Sequence, residues 1–177
     1  MFRKATAADV KAVSNLYEKI HQAESRGEMC IGWLPGVYPV EDTARGAQER
    51  GELYVYEEAG AVLAAAILNG TQPEAYARGK WQLDAPAERT WVLHTLVVDP
   101  QAGGRGIGRG FVAFYEDMAR ELGRPFLRMD TNARNGVARR LYAKLGYREA
   151  DVVPCEFNGI PGVRLVLLEK TAGKISE

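Results

Sequence analysis

Little in this chain of 177 residues marks it for export, for a membrane or for a metal. It has two cysteines, Cys30 and Cys155, too few for a disulfide framework and at no paired metal-ligand spacing. The opening MFRKATAADV lacks the apolar core of a signal peptide. The longest unbroken apolar run, Ala61 to Leu68, falls far short of the ~20 residues that span a bilayer. Formal net charge is zero, which speaks against a general nucleic-acid binder. The expectation is one cytoplasmic domain over residues 1–177, with no metal, no membrane and no nucleic-acid partner.

The charge that is present is uneven. From Gln101 to Arg148 there are ten Lys/Arg and four Asp/Glu, a local balance of +6, and the remainder of the chain is −6. Such asymmetry suits a small anionic ligand held in one half of the molecule. Solvated helix faces would account for it too.

Periodicity gives the elements. Phe2 to Ala5 reads as a strand. Thr6 reads as an N-cap, with Asp9 in the first turn and Val10, Val13, Leu16, Tyr17 and Ile20 at helical spacing. From His21 to Val40 the pattern dissolves into a loop. Glu41 to Arg50 reads as a short helix stopped by Gly51. Leu53 to Tyr56 and Ala61 to Leu68 read as strands about a turn at Glu58-Ala59-Gly60. Asn69 to Arg89 is a second long irregular stretch, of the kind that is usually functional or disordered. Trp91 to Val98 is β-rich, Ile107 to Leu122 carries a helix stripe, and Phe126 to Met129 is a short strand. Val137, Leu141 and Leu145 mark a further helix stopped by Gly146. Val152 to Phe157 and Val163 to Leu168 close the chain as strands. This order predicts a mixed α/β sheet with helices on its faces.

The segment GGRGIGRG, Gly103 to Gly110, puts five glycines and two arginines where the strand ending at Val98 hands over to a helix. Unpaired N–H groups at a helix N-terminus, with the helix dipole behind them, make an anion site. Glycine lets the backbone approach a phosphate without a Cβ in the way. A plain strand-to-helix turn would need only one or two glycines. The segment fails the dinucleotide fingerprint G-x-G-x-x-G, because Arg109 or Phe111 stands at the last position. It fails the P-loop, because Arg109-Gly110 replaces the lysine and hydroxyl.

The string Leu96-x-Val98-x-Pro100 followed by Gly104-Arg105-Gly106-Ile107-Gly108 resembles motif A of the GNAT family, the GCN5-related N-acetyltransferases. Asn135-x-x-Ala138-x-x-Leu141-Tyr142-x-Lys144-Leu145-Gly146-Tyr147 looks like a second conserved block of that family. The two blocks cover roughly residues 91 to 150. One position departs from the pattern: Gly103 stands where the family has Arg or Gln.

The resemblance implies a central, mostly antiparallel twisted sheet with helices on both faces and central parallel strands that splay apart. It implies an acetyl-CoA-dependent N-acetyltransferase, with acetyl-CoA as cosubstrate. The loop Gly104-Arg105-Gly106-Ile107-Gly108-Arg109 would wrap the pyrophosphate. The backbone of Leu96, Val97 and Val98 would meet the pantetheine arm and supply the oxyanion donor. Asn135 and Ala138 would also face the cofactor. Tyr142 would be the general acid for the departing thiolate, and His94, on the central strand, the base or proton relay. A neutral imidazole can take a proton. Asn135 also reads as an N-cap, and Tyr142 and His94 as core residues.

The acceptor is an unidentified amine, for which a small molecule is preferred. Trp33 and Tyr38 are candidates to line its pocket. A protein N-terminus or lysine is an alternative acceptor, and a non-catalytic acyl-CoA sensor an alternative function. A homodimer is an expectation by analogy only.

Overall fold

A computed structural model describes residues 1–173. Seven strands form one sheet in the order β1-β2-β3-β4-β5-β7-β6. They are β1 (Phe2–Lys4), β2 (Leu53–Glu58), β3 (Ala61–Asn69), β4 (Thr90–Val98), β5 (Phe126–Asn132), β6 (Arg148–Phe157) and β7 (Ile160–Thr171). Every neighbouring pair is antiparallel except β4 and β5, which run parallel. The helices are α1 (Val10–Ser25), α2 (Glu41–Glu49), α3 (Ile107–Glu121) and α4 (Gly136–Lys144). Among the described residues, no helix is long and apolar enough to cross a membrane.

One face of the sheet carries α3 and α4, through a core that includes Phe111, Tyr115, Leu127, Met129 and Leu168. The other carries α1 and α2 over β2 and β3, with Val13, Leu16, Ile20 and Val55 between them. Farther along that second face, Tyr76 and Ala75 pack on Val92, Leu165 and Leu167. Trp33 borders both of these second-face clusters. Ala64 and Ala66 face the α3 core while Ala65 faces the α1 core, all fully buried. Alanine is a poor strand former. Here it serves because β3 is covered on both sides.

Several boundaries differ from the sequence reading. The first helix does not dissolve at His21 but runs on to Ser25, with His21 and Ala23 buried. Polar spacing hid this, because His21 finds its partner outside the helix, at Pro39 O, 3.0 Å away. A 3-10 turn at Ala7–Asp9 precedes that helix. The last two strands start earlier or end later than their apolar runs, since alternate side chains face solvent.

The long stretch after Asn69 is ordered by polar anchors. It holds two 3-10 turns, Glu74–Arg78 and Ala87–Arg89. The buried Glu169 carboxylate accepts the N–H groups of Gln82 (2.9 Å) and Leu83 (3.2 Å). The Arg128 guanidinium lies 3.9 Å above the Trp81 ring.

Candidate active site

The parallel pair of strands is short. Thr90 to Leu93 of β4 align with Phe126 to Met129 of β5, and the pairing stops there. His94 and Asp130 are therefore the first residues past the fork. Beyond them the facing edges of β4 and β5 have no strand partner. β4 also bulges at this point. Ala65 pairs with Val97 but Ile67 with His94, so β4 carries one extra residue. Thr95, in the bulge, has φ +52, unusual for a β-branched residue. The bulge puts His94 and Thr95 on the same face of the sheet, and the Thr95 hydroxyl hydrogen-bonds the Tyr38 hydroxyl.

A cavity of about 350 Å³ opens at the fork. It brings together His94, Leu96, Asn135, Ala138 and Tyr142 with Trp33 and Tyr38, from segments far apart in the chain. Val97, Val98 and the glycine loop lie outside its lining. Val97 packs under α1, and Val98 under α3 and α4. The Asn135 side-chain oxygen caps α4 by accepting the Ala138 N–H at 3.1 Å, as its N-cap reading had it.

Asp130, which the sequence reading passed over, also lines this cavity. The Tyr76 hydroxyl donates to its Oδ2 at 2.8 Å. Burial raises its carboxyl to about 7, against the lowering effect of the Tyr76 hydrogen bond. The available signal was its solitude: it is the single carboxylate between Glu121 and Glu149. Its distance in sequence from His94 and Tyr76 hid the grouping.

His94 has a defined tautomer. Asn69 Nδ2 donates to the Glu52 carboxylate at 3.1 Å, and Asn69 Oδ1 accepts the Thr71 N–H at 2.9 Å. That amide orientation leaves Oδ1 to face His94 Nε2 at 2.9 Å, so Nε2 carries the proton. Burial lowers the imidazole to about 4, opposed by its hydrogen bond to Thr71 and by the Glu52 charge. Burial pushes the Tyr142 phenol well above its ordinary value, and the Asp130 charge adds to this. At pH 7 Tyr142 holds its proton and His94 is neutral, while burial brings the Asp130 carboxyl far closer to neutrality than an ordinary carboxylate.

At the end of β4 the chain turns through Pro100–Ala102 into the glycine loop. Asp99 secures the turn, accepting the Gln101 N–H at 2.9 Å and pairing with Lys19 at 2.6 Å. Gly104 (φ +76) and Gly106 (φ +79) are left-handed, a conformation that glycine adopts without strain. The first main-chain bond of α3 runs from Gly110 N–H to Gly106 O, at 2.9 Å. The N–H groups of Gly104 through Arg109 make no main-chain hydrogen bond. Gly110 has a different reason: a Cβ there would sit 2.9 Å from the Phe2 ring. Arg105 pairs with Glu58, which partly offsets its charge. Arg109 has no acidic partner among the described residues. Unpaired backbone donors at a helix N-terminus make this loop able to hold an anion through its main chain.

Comparison with known proteins finds others of this fold. The sequence profile described as the acetyltransferase (GNAT) family matches residues 13–147. A GNAT-family acetyltransferase from Streptococcus agalactiae superposes with a TM-score of 0.80 at 23% identity, over 98% of this chain and 96% of that one. A protein from Salmonella typhimurium, solved with its cofactor acetyl-CoA, gives 0.72 at 19% identity, over 100% and 96%. The ribosomal-protein-S18-alanine N-acetyltransferase of Escherichia coli gives 0.71 at 18% identity, also over 100% and 96%. Comparison with curated protein sequences finds no match.

Proposed function

This chain belongs to the acetyltransferase (GNAT) family, and on that premise we propose that it transfers an acetyl group directly from acetyl-CoA to the primary amine of a small molecule. The observation that carries this reading is the fork of β4 and β5. It gathers a carboxylate poised near neutrality and a protonated phenol in one cavity. The glycine loop begins just past the end of β4.

Acetyl-CoA supplies the activated acyl group and a thiol leaving group. The N–H groups from Gly104 to Arg109 hold its pyrophosphate. The unpaired edge of β4 from His94 to Val98 offers main-chain donors to its arm and to the negative charge that develops on the acetyl oxygen.

An ammonium has no lone pair and must first lose a proton. Asp130 accepts it. A base near 7 combines availability with proton affinity at physiological pH. His94, lowered to about 4, is a far weaker base, and we assign it the relay part of its expected role, with the Nδ1 lone pair as acceptor. Tyr142 passes its phenolic proton to the departing sulfur and regains one from the acylated nitrogen. Counting the proton held by Asp130, one proton is released per turnover.

Titration with acetyl-CoA by calorimetry tests the first half of this reading, with NAD and ATP as controls. Saturable one-site binding of acetyl-CoA alone is expected. An amine screen that follows CoA release tests the second half. There kcat/KM should rise with pH about a midpoint near 7 as Asp130 ionises. No binding at millimolar acetyl-CoA would overturn the assignment of the loop.

A further inference from the structure

Asp130 has one side-chain hydrogen-bond partner among the described residues, the Tyr76 hydroxyl on Oδ2. That leaves Oδ1 to take a proton. Tyr76 comes from the irregular stretch between β3 and β4, which has no ladder of its own to fix it. A phenol on such a segment keeps its bond only if the segment is held by other means.

The first hold comes from β5. Arg128 and Asp130 stand two residues apart on that strand and so share a face. Arg128 is buried there and reaches two points of the irregular stretch. Its Nη1 donates to the Gln72 side chain, and its Nη2 to Leu83 O at a long 3.4 Å. Its planar guanidinium stacks on Trp81 at 3.9 Å. Trp81 passes this support to Tyr76. The two rings lie 5.2 Å apart, and the Trp81 Nε1–H donates to Tyr76 O at 2.8 Å.

The second hold comes from β7. Tyr76 O also accepts the Gly79 N–H at 3.1 Å. Gly79 lies so close to β7 that a Cβ would collide with the Leu167 side chain. Leu167 is the β7 residue paired with Asp130 itself. The turn that carries the phenol is thus fastened to the two strands that flank the carboxylate.

We infer that Trp81, braced by Arg128, is a positioning residue: it holds the Tyr76 hydroxyl on Asp130 and so sets the pH range in which that carboxylate accepts a proton. The source of the proton, a substrate ammonium, rests on the acetyl-transfer reading. Trp81 does not line the cavity. It acts through Tyr76, whose hydroxyl favours the ionised carboxyl against the effect of burial. The other titratable groups around Asp130 are Tyr38 from the loop before α2, His94 from β4, Tyr142 from α4 and Cys155 from β6. None of these hydrogen-bonds the carboxylate.

A ¹³C NMR titration of the Asp130 carboxyl in the substrate-free protein, assigned with Asp130→Asn, reads the inference directly. Trp81→Phe keeps a ring against Tyr76 and Arg128 and removes the N–H. The carboxyl midpoint should rise by about half a pH unit, and by no more than Tyr76→Phe raises it. In turnover this is about a threefold lower kcat/KM on the acid limb, with the rate at pH 9 and the KM for acetyl-CoA unchanged. The Tyr76→Phe/Trp81→Phe double variant should match Tyr76→Phe alone, because both changes remove the same influence. Arg128→Lys keeps the charge and loses the planar face, should shift the midpoint the same way, and decides the matter if Trp81→Phe does not fold. A carboxyl midpoint that stays in place, or two shifts that add in the double variant, would overturn the inference and leave the acetyl-transfer reading intact. A midpoint that moves in a protein that acetylates no amine sustains the positioning role and overturns the acetyl-transfer reading instead.

Discussion

In the proposed reaction the glycine loop and the strand fork act together but are made of different material. The loop offers main-chain N–H groups held in place by Gly104 and Gly106, and nothing in that backbone titrates near neutrality. The fork offers side chains, Asp130, His94 and Tyr142, whose proton affinities are set by burial. Cosubstrate binding at the loop should be nearly indifferent to pH, and the chemistry at the fork should not.

The sharpest break between the two regions is Asp130→Asn. It should lower kcat/KM by about 10²–10⁴-fold and leave acetyl-CoA affinity unchanged. Its effect on stability has the opposite sign. The folded carboxyl is raised from 3.8 to about 7, so the stability tied to its protonated form is present below pH 3.8 and lost as pH rises through 7. Above pH 7 the wild type carries a penalty on the order of a few kcal/mol, tempered because the carboxyl faces a cavity. Thermal melts should show the variant more stable at pH 8, with the gain fading toward pH 4.

Tyr142→Phe should reduce kcat about a hundredfold with acetyl-CoA binding intact, in single-turnover and calorimetric measurements. Gly106→Val attacks the other region. A β-branched residue at φ +79 costs about 1–2 kcal/mol, so acetyl-CoA affinity should fall roughly tenfold with the pH midpoint of kcat/KM unmoved. Tyr76→Phe is the mildest. It removes a hydrogen bond that favours the Asp130 carboxylate, so the midpoint should move up by about one unit or less. The rate should then drop a fewfold at pH 7 and recover at pH 9. A Gly106→Val variant with a shifted midpoint, or a Tyr76→Phe variant with weakened acetyl-CoA binding, would erase the distinction between the regions.

The same contrast explains what could be read from the chain alone. The loop is local: its glycines, the strand before it and the helix after it are contiguous, so chemistry and fold class were visible together. Tyr142 and Asn135 were visible because α4 follows a recognisable spacing. Asp130 was not, because its meaning comes from where β4 and β5 part and from Tyr76, fifty-four residues away in a stretch with no periodicity. His94 was found on the right strand, but its neutral tautomer depends on Asn69 and Glu52, which sequence spacing does not connect to it. Side-chain hydrogen bonds between distant segments leave no periodic trace.

Ala64, Ala65 and Ala66 act as shims. One strand of bare methyl groups separates α1 from α3. The thickness of that layer gauges how far apart the two helices stand. Enlarging Ala65 to valine would wedge the helices apart at a cost of about 1–3 kcal/mol. The spacing of the layers that flank the fork is thus set by residues absent from its cavity.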